Sequence, residues 1–137
     1  MPKVRKKRNK DWRKNASTLA KKIARMKANY KCAYCGQGEP QRRTHGSHIY
    51  SEGRHRNMSA DVDNILCLCA IHHSVMPGWG VPDWNWHAHP IESGEWFKEN
   101  YPDLYKKLRK VSQDTMRTID FEKKYKELKE EYAQLSS

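Results

Sequence analysis

Four cysteines and a pair of adjacent histidines fall in two short stretches, and nothing else in the chain limits its folding as much. The first stretch is KCAYCGQ, with two residues between Cys32 and Cys35. The second is DNILCLCAIHH, Asp63 to His73, which holds Cys67, Cys69, His72 and His73. Two thiolates at the first spacing can grip one tetrahedral ion while backbone N–H groups hydrogen-bond the sulfurs. Redox pairs share that spacing but open a helix after a strand. Here a helical pattern precedes the pair and a glycine follows it, which favours zinc. The 137 residues are 36% hydrophobic and 31% charged, thin for a large core, so a metal staple is also physically useful.

Two pairs can complete the site. Cys67 and Cys69 need a sharp local turn to reach one ion together. Cys69 and His72 have two residues between them and share a face on a helical turn. The preferred set is Cys32, Cys35, Cys69 and His72. With all four positions filled by protein, such a zinc is structural. Cys67 is then a buried small apolar residue. Neighbouring helical residues point about 100° apart, so His73 faces away from the zinc. It has a different role, or it is a surface histidine.

Lys and Arg outnumber Asp and Glu by 27 to 16, a formal net charge of +11. That excess suits a polyanion, and DNA is the expected partner. A solvated basic protein without one is the plain alternative. No apolar run has the length of a membrane span. The basic start MPKVRKKRNK lacks the apolar core of a signal peptide. No membrane association and a cytoplasmic location are therefore expected, where reduced cysteines favour metal over disulfides.

Along the chain, residues 1–14 read as a flexible basic tail. Residues 15–30 read as an amphipathic helix with the stripe Leu19, Ile23, Met26 and Tyr30. Residues 31–78 hold the cysteines and histidines, with one or two strands around RRTHGSHIYSEGRHR and a strand or loop passing into a short helix over DNILCLCAIHHSVM. Residues 79–116 form a Trp-rich loop and two helices parted by Pro102. Residues 117–137 carry a last helix whose seam is Phe121, Tyr125, Leu128, Tyr132 and Leu135. It docks within the chain or pairs with its twin in a homodimer.

His48, Asn64 and His73 interleave with the proposed zinc ligands. Singly each is weak, since histidines are mostly structural and an Asn after Asp is a common turn residue. Together, with CAYC, SHIYSEGR, DVDN and LCAIHH, they make residues 31–75 resemble the HNH endonucleases. More narrowly, the segment is similar to phage recombination nucleases of the NinG/Rap and Ref type. The resemblance implies an α+β fold: a small zinc-stapled ββα-metal (HNH) core flanked by N- and C-terminal helices. It implies a phage-encoded DNA endonuclease linked to recombination or branched DNA, working in the infected bacterial cell. His72 stands at the family's fourth cysteine. His73 stands at its last histidine, which binds a catalytic Mg²⁺ or Mn²⁺. Many members place Asp before the first histidine as a further ligand, and here that residue is Ser47.

In that scheme His48 takes a proton from water, and Asn64 holds the His48 loop by hydrogen bonds. The ion offsets charge developing on the phosphate and the departing 3′ oxygen. Products are 5′-phosphate and 3′-hydroxyl ends. Arg54 and Arg56, then Arg42 and Arg43, are the expected phosphate contacts. Trp79, Trp84 and Trp86 either stack on unpaired bases or pack under the later helices, the commoner fate of tryptophan. The alternative function is a non-catalytic zinc-containing nucleic-acid-binding protein on the same fold.

Overall fold

Two five-residue strands organise the molecule: β1, Thr44–His48, and β2, Ile65–Cys69. They pair antiparallel, with Thr44 opposite Cys69, Gly46 opposite Cys67 and His48 opposite Ile65. The structure is a computed structural model that describes residues 6–73 and 85–137. Among these residues the architecture is mixed α/β, with this one sheet and five helices. The helices are α1 (Asn9–Lys27), α2 (Ala70–His73), α3 (Pro90–Asn100), α4 (Pro102–Ser112) and α5 (Phe121–Ser136).

Every residue of β2 is buried, because each side of the sheet is covered. Ile65 packs with α1 and α5, in a cluster of Ala16, Ala20, Ile23, Ala24, Phe121 and Leu128. Leu66 and Leu68 pack instead with Cys32, Cys69, Phe97 and Leu108, joining the sheet to α3 and α4. Alternation along a strand sends neighbouring side chains to opposite faces. Gly46 lies where α1 crosses the sheet: a Cβ there would stand 2.7 Å from Lys21 Cβ. Only a glycine admits so close an approach.

α1 starts at Asn9, inside the segment read as a flexible tail, and ends at Lys27 rather than Tyr30. Its start is tied to the far end of the chain. Asn9 Nδ2 donates to Ile119 O at 3.1 Å, and Asn9 Oδ1 accepts from Phe121 N at 2.9 Å. Trp12 meets Tyr125 with ring centroids 5.5 Å apart. The helix closes where Tyr30 N donates to Arg25 O and Asn29 N to Met26 O. Asn29 has a φ of 52° and Tyr30 one of 56°, so the chain leaves through a Schellman turn. The buried face is Ala16, Ser17, Ala20, Ile23 and Ala24, rotated from the stripe that the larger residues suggested. Small side chains let α5 approach closely, and that outweighs side-chain size.

α5 begins at Phe121, capped by Asp120, which accepts from Lys123 N at 3.2 Å. The expected seam is present. Phe121 and Leu128 are buried, and Tyr125 and Tyr132 are packed against the same cluster. Lys27 Nζ lies 2.9 Å from Glu131 across the pair. The seam is thus covered by α1 of the same chain, so a homodimer formed through it would have to displace α1. Truncating the centre of this contact, Leu128→Ala, is expected to destabilise the fold by about 2–4 kcal/mol in urea unfolding. A cost well under 1 kcal/mol would show that α5 is not docked.

Candidate metal centre

The turn after α1 presents two thiols. Gly36, at φ 75°, lets the chain reverse after Cys35. Gly36 N donates to Cys32 O, and Cys32 N to Gln37 O, both at 2.9 Å. Lys31 bridges to Gly38 and closes the knuckle. Glu39, at the end of this turn, accepts from Arg25 Nη2 of α1 at 2.7 Å and from the Thr44 hydroxyl of β1. One carboxylate therefore ties the knuckle to both neighbours. Those same two hydrogen bonds, from Thr44 first and then Arg25, hold the Glu39 carboxyl below the usual range.

The end of β2 supplies the other half. Cys32, Cys35, Cys69 and His72 bring their ligand atoms within 4.8 Å of one another. Cys35 Sγ and Cys69 Sγ are 3.8 Å apart. Two sulfurs about 2.3 Å from one tetrahedral zinc stand at roughly that separation. His72 Nδ1 lies 3.2 Å from Cys69 Sγ and 4.0 Å from Cys32 Sγ. The four could hold a structural ion such as zinc, and the donor set expected from sequence is the one assembled. Cys67 is not in it. It lies opposite Gly46, which backs onto α1, whereas Cys69 begins the turn into α2 and packs with Cys32 and Leu68.

The environment treats the thiols differently. Burial pushes Cys32 up to about 11, against the lowering effect of backbone N–H groups at Cys35, Cys69 and Tyr34. Burial acts the same way on Cys69, but the His72 backbone N–H and Arg42 outweigh it, so this thiol is shifted down. Arg42 Nη1 sits 3.7 Å from Cys35 Sγ and 3.8 Å from Cys69 Sγ. A zinc with three thiolates and one imidazole carries a net charge of about −1, and Arg42 is placed to offset it. Sequence reasoning had set Arg42 among the phosphate contacts. Its guanidinium lies beside the thiols, a contact for which no spacing rule gives a signal.

His48, at the end of β1, is half-buried, and its Nε2 lies 2.8 Å from the Ser59 carbonyl oxygen. A carbonyl only accepts, so Nε2 carries the proton and the neutral ring keeps its lone pair on Nδ1. Asn64 is fully buried. Its Oδ1 accepts from Tyr50 N at 2.9 Å, and its Nδ2 donates to Tyr50 O at 3.0 Å and Met58 O at 3.2 Å. Its own carbonyl accepts from Ile49 N at 2.8 Å. One side chain thus pins both ends of the loop that leaves His48 and returns to Ser59.

His73 does face away from the Cys3His cluster. Its contacts are with two other histidines: Nδ1 lies 2.8 Å from His45 Nδ1, and Nε2 lies 3.1 Å from His87 Nε2. Burial first, then the nearby His87, His45 and Lys21, push His73 down to about 4. Burial also lowers His45, helped by Arg43 and Arg25. His48 and Asn64 are therefore joined through one loop, while His73 belongs to a separate trio that sequence reasoning did not assemble. The nearby His89 is not part of this trio: its Nδ1 accepts from Asn85 N at 3.1 Å.

Arg43, Arg54 and Arg56 are exposed. Arg54 and Arg56 line a cleft of about 210 Å³ with His55 and the end of α4, where Asp114 also sits. Trp86 packs against the α3–α4 side, its ring 6.3 Å from Phe97. Trp79 and Trp84 lie outside the described residues. Searches of family models, curated proteins and solved structures find no match to this chain.

Two outcomes follow from the donor set. Cys67→Ser should retain one zinc per chain by metal analysis, and Cys69→Ser should lose it, although the chemical change is the same. At neutral pH the Cys32 thiol is protonated, because its value is raised to about 11. Zinc must expel that proton, so apparent affinity should fall about tenfold per pH unit as pH is lowered, for each proton released. Competition with a chromophoric chelator across pH 6 to 8 would show this, and a flat profile would exclude it.

Proposed function

We propose that this chain is a divalent-metal-dependent endonuclease of the HNH class, which hydrolyses DNA phosphodiester bonds from a zinc-stapled ββα core made by β1, β2 and α2. The arrangement of His48 carries the reading. Its Nε2 is committed to Ser59 O at 2.8 Å, which leaves Nδ1 as the basic atom, and Asn64 braces the loop on both sides. A histidine held in one tautomer by a backbone carbonyl is equipped to take a proton at a defined atom. In this mechanism a water gives its proton to His48 Nδ1 as its oxygen attacks phosphorus. The bond to the 3′ oxygen breaks and that oxygen takes a proton from solvent, leaving 5′-phosphate and 3′-hydroxyl ends. His73 would hold the Mg²⁺ or Mn²⁺, which when bound would stabilise charge on the phosphate and the leaving oxygen. The net charge of +11 and the exposed Arg54, Arg56 and Arg43 favour the approach of DNA. By the same resemblance, the setting is a phage-encoded role in recombination or on branched DNA inside the bacterial cell.

One feature favours a second reading, a zinc-containing nucleic-acid-binding protein without catalysis. At the position where many HNH nucleases carry an acid, Ser47 is 1% exposed and its hydroxyl has no hydrogen-bond partner among the described residues. Nicking of supercoiled plasmid separates the two. The nuclease reading expects nicking with Mg²⁺ or Mn²⁺, none with EDTA, and loss of at least about a hundredfold in His48→Ala, in line with removal of a general base. A zinc-loaded wild type that binds DNA but never nicks would leave the binding protein.

A further inference from the structure

We infer that His45 and His73 bind a divalent transition-metal ion through their Nδ1 atoms, and that His87 fixes the tautomer of His73 that allows it. Use of the ion in cleavage rests on the proposed nuclease, but its binding does not. The three residues come from separate pieces of chain: β1, α2 and the segment before α3. The two Nδ1 atoms are 2.8 Å apart, on rings inclined at 84°. Two nitrogens about 2.1 Å from one ion and at right angles around it are roughly 3.0 Å apart, so the pair needs only a few tenths of an ångström to open around an ion.

Protonation decides whether His73 can serve. For its Nδ1 to present a lone pair in the neutral ring, Nε2 must carry the proton. That proton needs an acceptor, and His87 Nε2 stands 3.1 Å away. Metal-bound histidines commonly donate their other N–H to such a partner. His87 is therefore a positioning residue rather than a ligand. Without an ion, the same rings form a chain of hydrogen bonds in which one Nδ1 of the close pair has to carry a proton. The ion replaces that proton.

The strand supports the same placement. His45 and Ser47 share a face of β1, two residues apart, and the buried Ser47 hydroxyl has no partner among the described residues. An ion held at His45 with its remaining positions filled by water would bring hydrogen-bonding groups to that face. The donor set is nitrogen only, which selects Ni²⁺, Co²⁺, Zn²⁺ or Mn²⁺ over Mg²⁺.

Calorimetric titration with Ni²⁺ of untagged protein shown by metal analysis to carry one zinc per chain tests the site without reference to cleavage. One equivalent beyond the structural zinc is expected, with no comparable binding of Mg²⁺. His45→Ala should weaken it by about a hundredfold and His87→Ala by about tenfold, the range for outer-shell partners, with zinc content unchanged. Histidine ¹⁵N spectra of the wild type should show Cd²⁺ shifting Nδ1 of His45 and His73, and this needs no variant to fold. Absence of a second equivalent, full-strength binding by a folded His45→Ala, or shifts at other nitrogens would each overturn the site. Ion binding as described by a protein that never nicks DNA would keep the site and remove the nuclease. Metal-dependent nicking with no ion at His45 would do the reverse.

Discussion

Three thiols and an imidazole held within 4.8 Å of one another are the contact on which the rest of this structure depends. Apolar packing alone gives no reason for Cys32, Cys35, Cys69 and His72 to converge, whereas a tetrahedral ion rewards that arrangement directly. The cluster binds the turn after α1 to the place where β2 becomes α2. Those two segments are separated by more than thirty residues of sequence, and the two short strands between them form a sheet too small to be stable alone. A metal that binds only the folded chain adds its binding free energy to folding. Arg42, at 3.7 and 3.8 Å from two of the sulfurs, is positioned to balance the excess negative charge.

Cys69 belongs both to the Cys3His cluster and to the end of the sheet, so the cluster and the strand register share one residue. Thr44 pairs with Cys69, and the ladder runs back to His48 opposite Ile65. Asn64 is then next to the strand end and can grip the loop that follows His48. The same register sends His45 to the face opposite that of Gly46, and Gly46 is where α1 crosses. A slip of one residue would exchange the faces of β1. It would put a side chain against Lys21 and remove His45 from His73. The staple, the braced histidine and the histidine trio are thus three outcomes of one strand pairing.

Features set by local spacing were legible in the sequence. Two residues between Cys32 and Cys35, and again between Cys69 and His72, identified the donor set, and the helical angle separated His73 from it. The seam of α5 was legible because large apolar residues mark it. The limits of α1 were not. Its buried face is built from alanines, whose small size carries little periodic signal, and its end depends on Asn29 and Tyr30 taking left-handed conformations. The contacts of His73 were hidden for another reason: its partners are 28 and 14 residues away. No short-range pattern brings β1 and the segment before α3 together. The place of Arg42 beside the thiols was not legible, because an arginine in a basic protein carries no spacing signal that ties it to a sulfur.

The chemistry of the proposed ion site bears on how a nuclease of this kind would work. His45 and His73 are neutral ligands, so a divalent ion between them keeps its full charge. An aspartate at position 47 would have offset part of it. In a protein with a net charge of +11, such an ion would be held less firmly by the chain alone than with an anion beside it. A DNA phosphate supplies both a ligand oxygen and the missing negative charge. By linkage, whatever the phosphate adds to ion binding the ion adds equally to DNA binding. On the nuclease reading, a serine in place of the acid would alter the order of assembly more than the chemistry: the ion would be held most tightly once the backbone to be cut is in place. That coupling would also limit adventitious hydrolysis, because the free protein, with His48 already braced by Ser59 and Asn64, would hold the ion less firmly than the DNA complex does.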